Sequence, residues 1–335
     1  MPENKIDFVI TWVDGGDAAW QREKCRYEPS AGSDDMDERY RDWENLRYWF
    51  RGVEKFAPWV RKIHFITWGH LPQWLDAEHP KLNIVRHEDY IPEEYLPTFN
   101  SHTIEWNMHR IKGLAEQFVY FNDDIFLTGH MRPEDFFRDG KPCDMLAFQP
   151  VIANPENPVM SHIYMNNSLV VSKYFKKREN VKKQPGAYFK VGYPLLYFGY
   201  NLLELLFPQY TGFYTVHGAS PFLKETYETL WEKERNVLSQ TCSHRFRSQQ
   251  DVSQYLAREW QKLTGNFHPQ NVTKYFRYFN VKSDNPLLVE TIAKGKARMV
   301  CVNDANMPID FLRAKQQIIG AFEKILPEKS EFEKR

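Results

Sequence analysis

The stretch that most constrains the fold spans residues 96–127, where a predicted helix leads directly into a buried strand that ends in two carboxylates. Residues 100–115 have the pattern of a helix, and the apolar run 118–121 stops at a polar segment that includes Asp123 and Asp124. In α/β proteins, ligands bind beyond the carboxyl ends of the strands. The stretch therefore predicts an α/β protein with a site at this strand end.

The predicted helix carries two adjacent rows of polar and ionisable residues. Ser101, Glu105 and His109 are spaced i, i+4 and i+8, so they are expected on one face of the helix. Asn100 or Ser101 is the expected N-cap. A solvated surface helix is the alternative interpretation. The strand that directly follows the helix ends in polar residues that begin at Asn122, and this favours a helix face turned toward a site.

Strands and helices alternate through the first 125 residues. Runs rich in apolar and β-forming residues predict strands at 6–13, 62–68 and 83–87, and an amphipathic pattern predicts a helix at 42–56. The small and acidic residues of 30–38 predict a loop. This alternation indicates a largely parallel sheet flanked by helices.

The first strand leads into a small acidic turn. Asp14-Gly15-Gly16-Asp17 follows it directly. Glycines permit a tight turn and close approach of the backbone to a ligand, and the carboxylates can hold ribose hydroxyls or a metal. Taken alone, such a turn is a weak signal, because most Asp-Gly pairs are simple turns.

Charge and cysteine usage narrow the class of protein. The 335 residues carry a formal net charge of zero, which argues against a nucleic-acid-binding protein that relies on a basic surface. The four cysteines are far apart and show no zinc-site spacing, so they are expected to remain reduced in a cytoplasm. The first residues lack the pattern of a signal peptide, which agrees with that location.

Residues 193–213 form an apolar segment with polar interruptions. Pro194, Asn201, Glu204 and Pro208 leave no run near the ~20 residues that a membrane span requires. Two interpretations remain open: a helix of the protein core, or a peripheral surface that rests on a membrane.

The C-terminal third offers three further polar positions. His217 precedes Pro221, which is predicted to open a helix, and a histidine there can serve as acid, base or metal ligand, or be structural. Arg245 and Arg247 precede a predicted helix at 248–260, and guanidinium groups match phosphate oxygens.

Two more strands are predicted in the later part of the chain. Residues 144–149 form one, and residues 299–304 form the other, which ends at Asp304. The second repeats the pattern of an apolar strand that stops at a carboxylate. A closing helix is predicted to begin at Pro308 and to end at Leu326.

Several of these motifs together resemble the Stealth family of sugar-phosphate transferases. The segment 97–124 resembles the second conserved region of that family, and 11–17 resembles the first. The residues that carry the resemblance are Thr11, Trp12, Val13, Asp14, Gly15, Asp17, Pro97, Thr98, Phe99, Ser101, Ile104, Glu105, His109, Arg110, Ile111, Gly113, Leu114, Asn122, Asp123, Asp124, His217, Arg245, Arg247, Gln250, Asp251, Cys301, Asn303 and Asp304.

The resemblance implies a GT-A-like fold with a mostly helical insertion, and a reaction. A hexose-1-phosphate or N-acetylhexosamine-1-phosphate would pass from a UDP-sugar to a sugar hydroxyl of an oligosaccharide or lipid-linked glycan. UMP would leave, and a phosphodiester of a capsular or cell-surface polysaccharide would form. A bacterial enzyme of this kind is expected in the cytoplasm, at the inner face of the cell membrane.

The resemblance and phosphoryl-transfer chemistry assign roles to the residues. Mg²⁺ or Mn²⁺ would be held by Asp123, Asp124 and Asp304. His217 or Glu105 would accept the proton of the hydroxyl, and Arg247 and Arg245 would spread the remaining charge. The donor would contact Trp12, Asp14, Gly15, Asp17, Ser101, His109, Asn122 and Arg245.

Two other functions remain open. One is a nucleotide-sugar glycosyltransferase that releases UDP. The other is a non-catalytic carbohydrate-binding protein, which the 10 Trp and 18 Tyr favour. Acidic residues at several strand ends argue against the second, because aromatic stacking platforms do not need them. Residues 1–150 are predicted to be a nucleotide-sugar-binding half, 151–213 a helical insertion and 214–335 the remainder of one catalytic unit.

Overall fold

The computed structural model describes residues 5–27, 41–155, 157–304 and 308–335, so the loop predicted at 30–38 lies outside the described residues. In these ranges the strands are β1 (Ile6–Thr11), β2 (Ile63–Thr67), β3 (Leu82–Arg86), β4 (Gln117–Phe121), β5 (Ile125–Leu127), β6 (Phe137–Arg138), β7 (Lys141–Asp144), β8 (Ser220–Leu223), β9 (His268–Pro269), β10 (Phe276–Asn280) and β11 (Met299–Asn303).

The helices of the same ranges pack around these strands. They are α1 (Ala18–Cys25), α2 (Leu46–Phe56), α3 (Ser101–Trp106), α4 (Pro133–Phe136), α5 (Pro158–Tyr174), α6 (Lys177–Lys183), α7 (Pro185–Tyr188), α8 (Leu195–Glu204), α9 (Lys224–Lys233), α10 (Arg235–Ser243), α11 (Tyr255–Thr264), α12 (Pro286–Ala293) and α13 (Phe311–Ile325).

The central sheet has the strand order β3-β2-β1-β4-β8. The first four strands are parallel, and β8 pairs with β4 in the antiparallel direction. The α/β class with a largely parallel, helix-flanked sheet is therefore confirmed. Because β1 to β4 run in one direction, the segments that follow them all leave the sheet at one edge, and that edge holds the site.

A second sheet joins the end of the chain to this edge. Its order is β10-β11-β5, with β5 antiparallel to β11 and Cys301 opposite Ile125. The backbone N–H of Val302 donates to the carbonyl oxygen of Asp124 at 2.8 Å. This pairing fixes the strand end at Asp124 against β11. A third, small sheet has the order β6-β7-β9.

Both faces of β1 are buried, as its unbroken apolar run predicts. Phe8 points into one hydrophobic cluster together with Trp49 of α2, and Val9 points into another together with Trp106 of α3. Gly52 lets α2 lie close to the second sheet, because a Cβ there would be 2.8 Å from the carbonyl oxygen of Leu127.

The helix predicted at 100–115 is wrong in its length. Asn100 does cap α3, since its side chain accepts a hydrogen bond from the backbone N–H of His102, but α3 ends at Trp106. The Asn107 side chain donates to the carbonyl oxygen of Thr103 at 2.8 Å, and a 3₁₀ turn over Met108–Arg110 follows. His109 therefore leaves the row of Ser101 and Glu105.

Two other predicted helices begin later than expected. Pro221 lies within β8, because this strand completes the edge of the sheet beside β4, and α9 begins at Lys224. The helix predicted at 248–260 begins at Tyr255. The carboxylate of Asp251 accepts a hydrogen bond from the backbone N–H of Ser248 at 3.0 Å, which holds the preceding residues in a turn.

The ends of two other elements also differ from the prediction. A strand is predicted at 144–149, but the structure has β7 at Lys141–Asp144. This strand pairs with β6 and β9 and ends before Met145. The closing helix begins at Phe311 rather than at Pro308, because the side chain of Asp310 caps its first turn.

The segment 151–213 contains α5 to α8, in agreement with a mostly helical insertion. The division of the chain into three segments remains a prediction. None of the described helices is both long and apolar enough to cross a lipid bilayer.

Candidate active site

Asp124 lies where β4 ends and β5 begins. Its Oδ2 atom lies 3.3 Å from Nε2 of His217 and accepts a hydrogen bond from Sγ of Cys301 at 3.0 Å. Its Oδ1 atom is buried and has no hydrogen-bond partner in the described part of the chain. A carboxylate with one paired oxygen and one buried, unsatisfied oxygen can take a cation or a proton donor of a ligand.

The electrostatics of this group favour an ion pair. Burial alone would raise the pKa of Asp124, but His217 and the hydrogen bond from Cys301 hold it below its usual value. Burial alone would lower the pKa of His217, and the Asp124 carboxylate outweighs that effect and raises it. Burial and the negative charge of Asp124 raise the pKa of Cys301, so its thiol stays protonated and acts as a donor.

The other imidazole nitrogen of His217 is held by a tyrosine. Nδ1 lies 2.6 Å from the hydroxyl of Tyr255, which begins α11. Tyr255 stacks on Tyr164 of α5 with ring centroids 6.0 Å apart. His217 is thereby oriented toward Asp124 from both sides of its ring.

Glu105 is a buried carboxylate of α3. The hydroxyl of Tyr120 donates to its Oε1 at 3.3 Å and lies 3.1 Å from the hydroxyl of Thr11 at the end of β1. Its Oε2 has no hydrogen-bond partner among the described residues. Burial raises the pKa of Glu105, and the neighbouring side chains of His102 and Arg247 oppose this in part.

Arg247 connects these groups. Its Nε and Nη2 atoms donate to the hydroxyl oxygen of Ser101 at 3.1 and 2.7 Å. Desolvation and then the charge of the adjacent Asp124 raise the pKa of Asp123 to about 7, although this residue is exposed at the surface, and the charge of Arg247 opposes the rise. The structure thus brings Glu105, Asp124, His217 and Arg247 into one cluster, termed the strand-end cluster below.

A buried hub positions the segment that carries Arg247. Asp251 is fully buried, and its carboxylate accepts from the Asn100 side chain at 2.8 Å and lies 2.6 Å from Nδ1 of His244. It also lies 3.3 Å from Nδ1 of His102. These contacts tie the turn before α11 to the N-terminus of α3, which sets Arg247 against Ser101.

The turn after β1 lies at the same edge of the sheet. The backbone N–H of Asp14 donates to Nε2 of His70 at 2.8 Å, and the carbonyl of Gly15 accepts from Gln21 at 2.8 Å. Asp17 caps α1 by accepting from the N–H of Trp20 at 2.7 Å. The predicted donor-binding residue Trp12 stacks on Phe65 with ring centroids 5.8 Å apart and also contacts His70.

Three predicted site residues make contacts of other kinds. His109 is buried against Tyr227 and Trp231. Arg245 donates to the carbonyl of Pro97 at 2.6 Å, with its guanidinium over the ring of Tyr27. Asp304 accepts a hydrogen bond from Trp43 at 3.2 Å and lies 3.8 Å from Arg41. Asn122 and Ser101 lie beside Asp123 and Arg247 respectively.

The residues fit a hard divalent cation through oxygen atoms. The metal-binding group that the described residues form is Asp124, His217 and Cys301, whose ligand atoms lie within 4.8 Å of one another. The predicted trio of Asp123, Asp124 and Asp304 does not form such a group in the described structure. A protonated thiol is a poor ligand for Mg²⁺ or Mn²⁺, whereas the free Oδ1 of Asp124 and the adjacent Asp123 carboxylate are suitable.

Cys301 and Asp251 carry part of the resemblance to the Stealth family, but no role follows from the sequence for either of them. Tyr255 and His70 carry no local signal, because their partners His217 and Asp14 lie far away in the chain.

Comparison with known proteins agrees with this picture. A family model described as Stealth protein CR2, conserved region 2, matches residues 39–144, and one described as Stealth protein CR1, conserved region 1, matches residues 4–32. The chain is 41% identical over 333 residues to a capsular polysaccharide phosphotransferase WcwK of Streptococcus pneumoniae, with 99% of both chains covered. It is 38% identical over 335 residues to a receptor polysaccharide phosphotransferase WefC of Streptococcus oralis, covering 98% of this chain and 99% of that one.

Among solved structures, mouse xyloside xylosyltransferase 1 in its apo form overlaps 91% of this chain and 99% of its own, with 10% identity and a TM-score of 0.39, a likeness too weak to support an inference. The α/β fold, the strand-end cluster and the full-length relatives define an enzyme of the transferase class. The chain belongs to the Stealth family.

Proposed function

We propose that this enzyme transfers a hexose-1-phosphate or N-acetylhexosamine-1-phosphate from a UDP-sugar to a sugar hydroxyl. UMP leaves, and a phosphodiester of a capsular or other cell-surface polysaccharide forms. The observation that carries this proposal is the strand-end cluster, in which a carboxylate with an unsatisfied buried oxygen lies beside an imidazole and near a guanidinium. The names of the relatives, polysaccharide phosphotransferases, support the reaction class.

The donor is placed at the adjoining ends of β1 and β4. Trp12, Asp14, Gly15 and Asp17 follow β1 and would hold the nucleoside, with the backbone of Asp14 already fixed by His70. Ser101, Asn122, His109 and Arg245 are the other proposed donor contacts. Of these, Ser101 is supported best, because it is hydrogen-bonded to Arg247, whereas His109 is buried among aromatic rings.

The acceptor hydroxyl oxygen attacks the β-phosphorus of the donor. A new phosphorus–oxygen bond forms as the bond to the bridging oxygen of the α-phosphate breaks, and UMP leaves with that oxygen. Asp123 and Asp124 would hold Mg²⁺ or Mn²⁺, which would supply positive charge to neutralise the phosphate oxygens. Arg247 donates to the phosphate oxygens that carry the remaining charge.

The hydroxyl proton passes to His217 or to Glu105. Positioned general-base catalysis contributes roughly 10²–10⁴ in rate. His217 is the favoured base, because it lies beside Asp124, where the phosphate is expected. His217 must be neutral to accept this proton, so it must first lose the proton that the Asp124 carboxylate stabilises, whereas Glu105 has a buried oxygen that is not hydrogen-bonded in the described structure.

The acceptor class is an oligosaccharide or lipid-linked glycan, and the expected location is the cytoplasm at the inner face of the cell membrane. The names of the relatives refer to a capsular polysaccharide and a receptor polysaccharide, which supports a glycan as the acceptor. Neutral overall charge continues to argue against nucleic acid as a partner.

Product identity tests the reaction. Purified protein is incubated with a panel of UDP-sugars, Mg²⁺ or Mn²⁺ and short oligosaccharides, and the nucleotides are separated. UMP together with an acceptor that gains the mass of a hexose-phosphate supports the proposal. UDP together with an acceptor that gains only a hexose would overturn it in favour of a glycosyltransferase.

Two variants then separate the candidate bases. His217→Gln and Glu105→Gln are compared for turnover and for UDP-sugar affinity by calorimetry. The proposal expects His217→Gln to lose about 10²-fold or more in turnover while retaining donor affinity. Near-full turnover of His217→Gln, with loss in Glu105→Gln, would assign the base to Glu105 instead.

A further inference from the structure

Helix α8 has an inverted distribution of polar and apolar residues. Leu195, Leu202 and Leu203 of the helix and Leu206 after it are between 54% and 88% exposed. Leu196 and Phe207 are exposed as well. A contiguous set of large apolar side chains exposed to water is unfavourable in free energy, and such a patch marks an interaction site.

The polar residues of α8 face inward and fix this orientation. Asn201 is fully buried, accepts a hydrogen bond from the backbone N–H of Phe148 at 2.7 Å and donates to the carbonyl of Tyr188 at 2.6 Å. Glu204 is also buried and forms an ion pair with Lys177 of α6, with the nitrogen and oxygen 2.6 Å apart. Rotating α8 to hide its leucines would expose these bonds, so the leucines must remain outside.

Basic residues lie close in sequence to the exposed apolar residues. Residues 173–207 contain seven Lys or Arg and two Glu, and without the buried pair of Lys177 and Glu204 six Lys or Arg and one Glu remain. Lys182 and Lys183 are exposed at the end of α6, which packs on α8 through Lys177, and Lys190 is exposed just before α8. This region therefore combines exposed apolar side chains with a local excess of positive charge.

We propose that α8 and the turn after it, residues 195–207, bind the headgroup layer of an anionic phospholipid membrane. The leucines and Phe207 would enter the boundary between headgroups and acyl chains, and Lys182, Lys183 and Lys190 would contact lipid phosphates. A second copy of the chain is the poorer occupant, because it would bring two basic surfaces together. A lipid surface satisfies both the apolar and the cationic side chains.

Such binding would hold the enzyme beside an acceptor that is anchored in the same membrane. That consequence rests on the proposed function, whereas the binding itself does not. The binding experiment below contains no donor and no acceptor, so its failure leaves the reaction untouched.

Vesicle sedimentation tests the proposal with the full chain. The wild-type protein is mixed with vesicles of phosphatidylcholine containing about 30% phosphatidylglycerol, and with vesicles of phosphatidylcholine alone. We expect binding to the anionic vesicles that weakens as salt is raised. The triple variant Leu202→Gln, Leu203→Gln, Leu206→Gln should bind roughly 100-fold more weakly, because three apolar side chains no longer enter the lipid.

The matched control carries the same change elsewhere. Leu287 and Leu312 are 63% and 71% exposed on α12 and α13, so Leu287→Gln with Leu312→Gln removes exposed leucines outside the proposed surface. This variant should bind like the wild type. Circular dichroism of both variants verifies that they fold.

Three outcomes would overturn the proposal. One is the absence of wild-type binding to anionic vesicles. Another is equal loss of binding in both sets of variants. The third is a dimer of the wild-type protein in lipid-free buffer, seen by sedimentation velocity, that the triple variant abolishes, since a second copy would then cover α8. Replacing Lys182, Lys183 and Lys190 by Gln should remove the preference for anionic vesicles. The variant should then bind both kinds of vesicle equally and weakly, through its apolar side chains alone.

Discussion

The Nε2 atom of His217 lies 3.3 Å from Oδ2 of Asp124, and each residue stabilises the charged form of the other. The contact uses one oxygen of the carboxylate and leaves Oδ1 buried without a hydrogen bond in the described structure. Asp124 can therefore bind a cation through one oxygen while it positions His217 through the other. This division of labour underlies the first prediction.

Asp124→Asn should abolish the binding of Mg²⁺ or Mn²⁺ and reduce turnover by about 10²-fold or more, because the amide lacks the charge that a hard cation requires. Titration calorimetry with the metal alone, without substrate, measures the first effect. Asp139→Asn is the matched control, since Asp139 is exposed and its φ of 51° suits Asn equally well. Unchanged metal affinity in Asp124→Asn would contradict the assigned ligand.

Arg247→Lys should lower turnover by about 10- to 100-fold. Lysine cannot reproduce the two hydrogen bonds from Nε and Nη2 to the hydroxyl of Ser101, so the charge would no longer be held beside Asp123. Steady-state kinetics measures the change. Arg110→Lys is the control, because Arg110 is exposed with its guanidinium over the ring of Trp231. Similar losses in both variants would exclude a special role for Arg247.

Asp7→Asn should destabilise the fold by about 3 kcal/mol or more, because removing one charge of a buried network leaves its partners uncompensated. Asp7 is fully buried in β1 and accepts hydrogen bonds from Arg61 and from the backbone N–H of Ala115 at 2.7 and 2.8 Å. Urea unfolding measures the loss.

The comparison for Asp7 is Asp284→Asn. Asp284 forms an ion pair with Arg313 at 3.5 Å, and both side chains are more than half exposed. Such surface pairs contribute about 1 kcal/mol or less. A loss in Asp7→Asn no larger than that in Asp284→Asn would show that the buried network does not stabilise the sheet.

His109→Gln should make the fold less sensitive to acid. Burial and the charges of Arg110 and Lys224 lower the pKa of His109 to about 3, against 6.5 for the free side chain. Below pH 6.5 the unfolded chain therefore binds a proton that the folded chain does not. The stability of the wild type falls with pH over the range from 6.5 to about 3, by up to about 1.4 kcal/mol per pH unit from this residue.

Urea unfolding at several pH values within that range compares the slopes. Gln cannot take up the proton, so the variant should lose less stability on acidification than the wild type. His162→Gln, an exposed substitution on α5, is the control. An identical change of slope in both variants would contradict the effect of burial at His109.

The parts of the fold that follow from local pattern agree with prediction. The apolar runs that lead to Asp14 and to Asp123 are β1 and β4, and their shared direction places both polar ends at one edge. Strands β5 and β10 were not predicted, because β5 has only three residues and β10 has neither an apolar run nor an alternating pattern, with Phe276 as its one buried residue. Propensity alone extended the helix past Trp106, where side-chain hydrogen bonds of Asn107 end it.

The site was predictable where strand ends mark it and unpredictable where distant segments meet. Glu105, Asp124, His217 and Arg247 were named from their local patterns, and the structure brings them together, while their roles remain predictions. The contacts of Cys301 and Tyr255 depend on pairing across the sheet and across α11, which local sequence does not encode. The orientation of α8 was open between core and surface, because its apolar and polar residues do not reveal which face the rest of the protein covers.

The pairing of β11 with β5 has a consequence for synthesis of the chain. Asp124 is separated from His217 by 93 positions and from Cys301 by 177. A nascent chain can complete β1 to β4 long before β11 leaves the ribosome, so the sheet can precede the site. We expect the enzyme to be inactive until nearly its whole chain has been made, because Cys301, a partner of Asp124, lies on β11.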